Sequence, residues 1–448
     1  MHTLSQLRSG ALAGTRRLDL SADLTVFPPE IFDLADTLEV LNLSGNRLST
    51  LPDDLPRLKK LKVIFCSDND FSALPAVLGA CERLEMVGFK ANHIRVVPPA
   101  ALPARLRWLI LTDNRLAELP LELGRCQRLQ KLMLAGNRLQ TLPDLSNCER
   151  LELLRLAANR IEVLPPWLSA LPRLSWVALA GNPLWQAEVQ RHDARHDRPD
   201  LARITGSALA LEHTLGEGAS GVIHRALWRR GPDQAPQPVA VKLFRAAMTS
   251  DGSPDSEMAA CVAAAGHPGL IPVEGLLQGP IQGHRQDGTG LVLALLDPAF
   301  RALAGPPSLS SCTRDVYADA LHLSTASVLG LARRMADVAA HLHARGLMHG
   351  DLYAHNILWD GAAGHEALLS DFGAATFYDR TAPDAGALER LEVRAFGCLL
   401  EEWLDHAVDP ADALLAPLAT LRDACLQPEV LARPSFAEMV QRLWGHDI

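Results

Sequence analysis

Five short stretches in the second half of the chain carry residues suited to handling a polyphosphate. Gly216-Glu217-Gly218-Ala219-Ser220-Gly221 sets three glycines at G-x-G-x-x-G spacing, and glycine lets backbone amides approach phosphate oxygens without a side-chain clash. The residues that follow, 222–228, alternate as a strand does, which predicts a hairpin rather than the strand-to-helix turn of a dinucleotide site; no Walker-type lysine accompanies the glycines. Lys242 ends the strand Val239-Ala240-Val241-Lys242. It is the only lysine after Lys131 in a chain that otherwise uses arginine there, and a compact ammonium is chemically distinct from a planar guanidinium. Glu257 opens a helix-forming stretch closed by Gly266 and Pro268, and is the expected partner of Lys242. Asp351, Asn356 and Asp371 fall within one 21-residue span. Phosphoryl transfer requires neutralisation by a divalent ion and a carboxylate near the acceptor, and this span offers both.

These residues must be brought together by a common scaffold. The runs Met348-His349-Gly350-Asp351-Leu352-Tyr353-Ala354-His355-Asn356 and Leu369-Ser370-Asp371-Phe372-Gly373 follow the glycines and the Val-Ala-Val-Lys strand in fixed order. Together they resemble the protein-kinase superfamily over roughly residues 204–448. The resemblance implies an α+β bilobal domain that binds ATP with magnesium, or manganese in its place. It also implies a nucleotide cradle of Gly216, Gly218, Ser220, Gly221, Val222, Ala240 and Lys242, with Lys242 held by Glu257. Asp351 would accept the acceptor hydroxyl's proton, and Asn356 and Asp371 would carry the metal. The stretch 393–403 is similar to the family's buried central helix, and Cys425-Leu426-Gln427-Pro428 with Arg433-Pro434 to its closing motif.

Three departures bear on substrate. His-Gly-Asp stands where the family has His-Arg-Asp, so an activation loop lacks its usual phosphate anchor. Tyr353 replaces the lysine common two residues after the catalytic aspartate in serine/threonine kinases, and Glu392 replaces the aspartate that opens the central helix. The segment after Asp371 is short, with Ala382-Pro383-Asp384 the nearest match to Ala-Pro-Glu. A protein kinase, serine/threonine-directed, is the leading expectation. A small-molecule phosphotransferase and a nucleotide-binding scaffold are the alternatives.

The first half repeats with a period of 22 or 23 residues, marked by Asn46, Asn69, Asn92, Asn114, Asn137, Asn159 and Asn182 in the frame L-x-x-L-x-L-x-x-N-x-L-x-x-L-P. This resembles the leucine-rich-repeat family over residues 15–185. One repeat cannot bury its own apolar face, so stacking must, giving an α/β solenoid with a concave parallel sheet. Residues 1–14 form an N-terminal cap, 186–203 a linker and 204–448 the kinase-like domain. Between the strand leucines lie Phe65, Met86, Trp108, Ile110, Met133 and Trp176, expected to face outward as a docking patch for a protein target or for the chain's own second half. His192, Asp193, His196 and Asp197 have helical spacing but read as a solvated linker face.

Composition agrees. The chain has 448 residues, 48% hydrophobic and 21% charged, as expected of several globular domains. A net charge of -9 gives no reason to expect nucleic acid. No apolar run is long enough to span a membrane and the N-terminus has no signal-like stretch, so a cytoplasmic protein without membrane attachment is expected. The eight cysteines contain no C-x-x-C pair. Cys81, Cys126 and Cys148 share one repeat column, where thiols serve packing.

Overall fold

The leucine frame folds into stacked coils. Leu38, Leu41, Leu43 and Leu48 of one copy are fully buried. The strands β1 (Arg17–Asp19), β2 (Val40–Asn42), β3 (Val63–Phe65), β4 (Met86–Gly88), β5 (Trp108–Ile110), β6 (Lys131–Met133) and β7 (Leu153–Arg155) pair in parallel, each one repeat on from the last. The asparagine ladder satisfies the backbone where each coil turns. Asn46 accepts from the Ala22 and Leu24 amides at 2.9 and 3.0 Å and donates to the Leu20 and Leu43 carbonyls at 2.9 and 2.8 Å. Buried backbone groups left unpaired would cost free energy, which is why this column is polar inside an apolar core. The residue before each asparagine turns through positive φ, as Gly45 (71°), Asp68 (51°), Ala91 (51°) and Asp113 (54°) show.

The structure is a computed structural model that describes residues 1–186, 201–218, 220–231, 233–245, 249, 251–281, 290–361 and 366–445. Two units emerge: Met1–Leu174 with Asn182–Leu184, and Ser175–Gly181 with Trp185–Ile448. The expected histidine and aspartate cluster at 192–197 lies outside the described residues. No described helix is long and apolar enough to cross a membrane.

The outward apolar column differs from expectation. Met86, Met133 and Trp176 are buried, and Phe65, Trp108 and Ile110 are half-buried. In the first unit these side chains cover one another. Phe65 meets Trp108 edge-on at 6.3 Å, lies across Gly88, and the Lys131 ammonium sits 4.4 Å from the Trp108 ring centre. Cys81 and Cys148 are buried and Cys126 is half-buried, and burial pushes the Cys81 and Cys126 thiols up to about 11, so neither is a reactive thiolate at neutral pH.

The second unit contains β8 (Trp176–Ala178) and a six-stranded sheet. The sheet comprises β9 (Ala202–Thr205), β10 (Leu209–Glu217), β11 (Gly221–Trp228), β12 (Gln237–Phe244), β13 (Val273–Gln278) and β14 (Gly290–Ala294), in the order β10-β11-β12-β14-β13-β9. Its edge thus starts inside the expected linker, at Ala202. After the short N-terminal helix α1 (Leu4–Arg8) of the first unit, the next helix described here, α2 (Pro254–Ala264), is capped by Ser253, whose hydroxyl accepts from the Ser256 amide. The larger lobe holds α3 (Thr325–His343), α4 (Ala385–Asp405), α5 (Ala416–Cys425) and α6 (Phe436–Trp444). As the sequence suggests, α4 is the central buried helix, with Leu391, Val393, Ala395, Phe396, Leu400 and Trp403 shielded from solvent. Buried Arg433 donates to the Gln427 and Arg390 carbonyls at 2.8 and 3.0 Å, tying the closing motif to α4.

Candidate active site

A cleft of about 580 Å³ is lined by Gly216, Gly218, Ser220, Gly221, Lys242, Glu257, Asn356 and Asp371 together. The glycines sit in the β10–β11 hairpin, closed by the Gly218 amide donating to the Gly221 carbonyl at 2.9 Å. They have different reasons to be glycine. A Cβ on Gly221 would stand 2.3 Å from the Leu243 carbonyl oxygen, so strand packing requires that position. At Gly216 and Gly218 nothing lies within 4 Å of the equivalent point. Protein packing does not explain those two; an open backbone surface facing the cleft does.

Lys242 projects from β12 and pairs with Glu257 on α2. The Lys242 and Glu257 side chains are 14% and 2% exposed. Burial alone would lower the ammonium's affinity for its proton, but the Glu257 and Asp371 carboxylates raise it above the ordinary lysine value of 10.5. Glu257 keeps its other oxygen, Oε2, buried without a partner among the described residues. Val222 and Ala240 do not line the cleft; Ile223 does. Successive strand residues point to opposite faces, so the cleft-facing residue after Gly221 is two positions on, not one.

Asp351, the expected proton acceptor, does not line the cleft; its link to the lining is Asn356, whose Nδ2 donates to the Asp351 carboxylate Oδ2 at 3.0 Å. The same amide group donates to the Asp351 carbonyl at 2.9 Å, which fixes the loop between them. His349 Nδ1 accepts from the Asp351 amide at 3.3 Å, so the ring carries its proton on Nε2 and donates to the Ser370 carbonyl at 3.0 Å. One buried imidazole therefore links the Asp351 loop to the residue before Asp371. Asp371 holds φ of 57°, a conformation rare outside glycine, with its carboxylate accepting from the Gly373 amide at 3.1 Å.

One residue that the sequence flagged, Glu392, and one that escaped it, His355, complete the surroundings of Asp351 and Asn356. Glu392, fully buried on α4, accepts from His343 Nε2 at 2.7 Å and from the Gly350 and His349 amides at 2.6 and 3.3 Å. Burial would raise this carboxyl, yet the hydrogen bonds from His343 and the Gly350 amide outweigh it and hold it below its usual value. His355 lines the cleft beside Asn356, and its Nδ1 pairs with Asp315 Oδ1 at 2.7 Å. Burial lowers the imidazole's affinity, but the Asp315 hydrogen bond and charge, with Asp351 and Asp371 nearby, raise it above the ordinary 6.5. A raised value means the pair's stabilisation is complete below pH 6.5 and is lost as pH climbs through the folded-state value. Asp315→Asn should therefore shift the His355 titration to lower pH in NMR, and an unmoved midpoint would contradict the pairing.

No group of three or more His, Cys, Asp or Glu side chains among the described residues forms a metal cage. One carboxylate and one amide, Asp371 and Asn356, at the edge of an open cleft suit an ion that keeps its remaining bonds for phosphate oxygens and water, as magnesium does. The residues present fit such an ion and a nucleotide.

The fold and this cleft define a leucine-rich-repeat solenoid in one chain with a kinase-type domain. Residues 209–409 match the family described as protein tyrosine and serine/threonine kinase. Residues 104–161 and 127–184 match a leucine-rich-repeat family, and 36–76 a second one described as two copies of the repeat. Stretches of the first half are thus similar to leucine-rich repeats, and residues 209–409 to protein kinases. Among solved structures, the leucine-rich-repeat protein LIC12759 of Leptospira interrogans is similar at 25% identity with a TM-score of 0.35, covering 41% of this chain and 53% of that one. The chain thus spans about half the length of that structure. No curated protein matches the chain.

Proposed function

We propose that this protein is a cytoplasmic, magnesium- and ATP-dependent protein kinase, serine/threonine-directed, whose repeat unit docks a protein target. The observation that carries the reading is one cleft lined at once by the open glycine hairpin, the Lys242–Glu257 pair, Asn356 and Asp371. Gly216 and Gly218 would present backbone amides to the phosphates. Lys242, its ammonium oriented by Glu257, would hold the α- and β-phosphates, while Ile223, Leu291 and Leu293 give the cleft apolar walls for the base. Asn356 and Asp371 would hold magnesium, which when bound neutralises charge on the phosphate oxygens. Asp351, its carboxylate aligned by Asn356, would take the proton from the acceptor hydroxyl as the γ-phosphoryl group is transferred. Phe65, Trp108 and Ile110, the half-buried members of the repeat column, would contact the docked target.

Radiolabelled ATP with magnesium should label this protein or an added protein substrate. Asp351→Asn should slow labelling by roughly 10²- to 10⁴-fold while leaving nucleotide binding in place. If the wild type binds the nucleotide but labels no protein, the reading fails. Labelling of small hydroxylated metabolites alone would favour a small-molecule phosphotransferase, an option supported by the short stretch between Asp371 and α4.

A further inference from the structure

Ser175–Gly181 matches the repeat frame in sequence, yet these residues belong to the second unit. There they touch three pieces of the candidate site. Trp176 lies flat on Tyr353, ring centres 4.2 Å apart and planes 8° from parallel, and its Nε1 donates to the Leu352 carbonyl at 3.1 Å. Leu352 and Tyr353 directly follow Asp351. The Leu179 amide donates to Thr376 Oγ1 at 3.0 Å, in the segment after Asp371-Phe372-Gly373. Ser175 Oγ accepts from Arg394 on α4 at 2.9 Å. Trp176 is 1% exposed and Tyr353 3%.

The same segment accounts for both unusual residues of the catalytic loop. Gly350 has φ of 73°, and a Cβ there would stand 2.5 Å from the Val177 carbonyl oxygen and 2.6 Å from that of Ala374. No side chain fits, so an arginine cannot occupy the position with β8 in place. Tyr353 supplies the flat face on which the indole rests, which a lysine would not. Gly350 and Tyr353 are therefore matched to β8.

Resting on the kinase reading above, we infer that Ser175–Gly181 is a built-in brace of the catalytic loop and that Trp176 is a positioning residue for Asp351. The brace acts through the loop backbone, because the indole fixes the Leu352 carbonyl and the Tyr353 ring immediately beyond Asp351. Phosphoryl transfer would then be sustained by a fixed contact within the chain rather than by phosphorylation of the short segment after Asp371. Simple core packing and an inhibitory plug are the competing roles, and they predict different kinetics.

The test compares full-length wild type with Trp176→Ala and Trp176→Phe, measuring amide hydrogen exchange over residues 349–356, binding of a non-hydrolysable ATP analogue with magnesium, and kcat and KM for ATP. In Trp176→Ala the loop amides should exchange about tenfold faster. Its kcat should fall roughly 10- to 100-fold, with KM for ATP and analogue binding within about twofold, since a small misplacement of a reacting group is costly. Trp176→Phe keeps a stacked ring but loses the indole donor, and should lie between. Unchanged exchange overturns the brace, as does faster exchange with undiminished kcat. A rise in kcat overturns it in favour of a plug. If Trp176→Ala does not fold, the phenylalanine variant decides by the same readouts. Exchange and analogue binding need no turnover, so a wild type that transfers no phosphate would refute the kinase reading while the loop measurements still judge the brace.

Discussion

Gly350→Ala is expected to destabilise the second unit by about 2–5 kcal/mol, from left-handed backbone strain of ~1–2 kcal/mol and overpacking of ~1–3 kcal/mol. The added methyl would meet two backbone carbonyl oxygens, of Val177 and Ala374, neither of which can rotate away as a flexible side chain would. Moving the loop instead would pull the Gly350 amide from Glu392 Oε1, now 2.6 Å away, and leave a buried carboxylate short of a donor. Gly350→Arg, which installs the His-Arg-Asp of the wider kinase superfamily, should cost at least as much. A urea midpoint for Gly350→Arg equal to the wild type's would show that the loop has room, and would remove the structural reason for His-Gly-Asp.

What could be read from the sequence follows the range of the forces involved. The repeat frame was legible because each leucine and asparagine answers a local need repeated every turn of the solenoid, and Asn46 to Asn182 all fill it. The glycine hairpin, Lys242, Glu257, Asn356 and Asp371 were legible because each sits at a set place in a strand, helix or turn, and the structure brings them to one cleft. Val222 was a one-residue slip of strand register, with Ile223 the residue that faces the cleft. Trp176 was placed on a docking face because strand alternation says which residues leave the core, but not what they meet; its partner is Tyr353, far along the chain. Asp315 was missed for the same reason: nothing near it in sequence signals the pairing with His355. The departures at Gly350 and Tyr353 were visible from the start, and only tertiary contact with β8 supplies their cause.

Lys242→Met should lower phosphoryl transfer by about 10²- to 10³-fold, the usual penalty for losing one preorganised positive group at a transferring phosphate. It should also destabilise the domain by roughly 3–5 kcal/mol, because Glu257 would be left buried without its cation. The two losses have separate origins and can be pulled apart. Lys242's raised proton affinity means that its own share of the stabilisation is complete below about pH 10.5 and is lost as pH rises through the higher folded value, while burial raises Glu257 above its ordinary 4.5, so the pair also weakens on the acid side as that carboxylate takes up a proton. In the double variant Lys242→Met/Glu257→Leu no charge remains to be desolvated, and apolar replacements of buried pairs are often neutral or stabilising by ~1–4 kcal/mol. The double variant should therefore recover the stability lost by the single one while remaining as inactive. Urea unfolding and turnover measured on the same preparations give both quantities. A double variant no more stable than Lys242→Met would mean that the ammonium's packing against Phe244, 5.2 Å from its ring centre, matters more than its pairing with Glu257. Recovery of activity along with stability would mean that Lys242 serves the fold and not the phosphates.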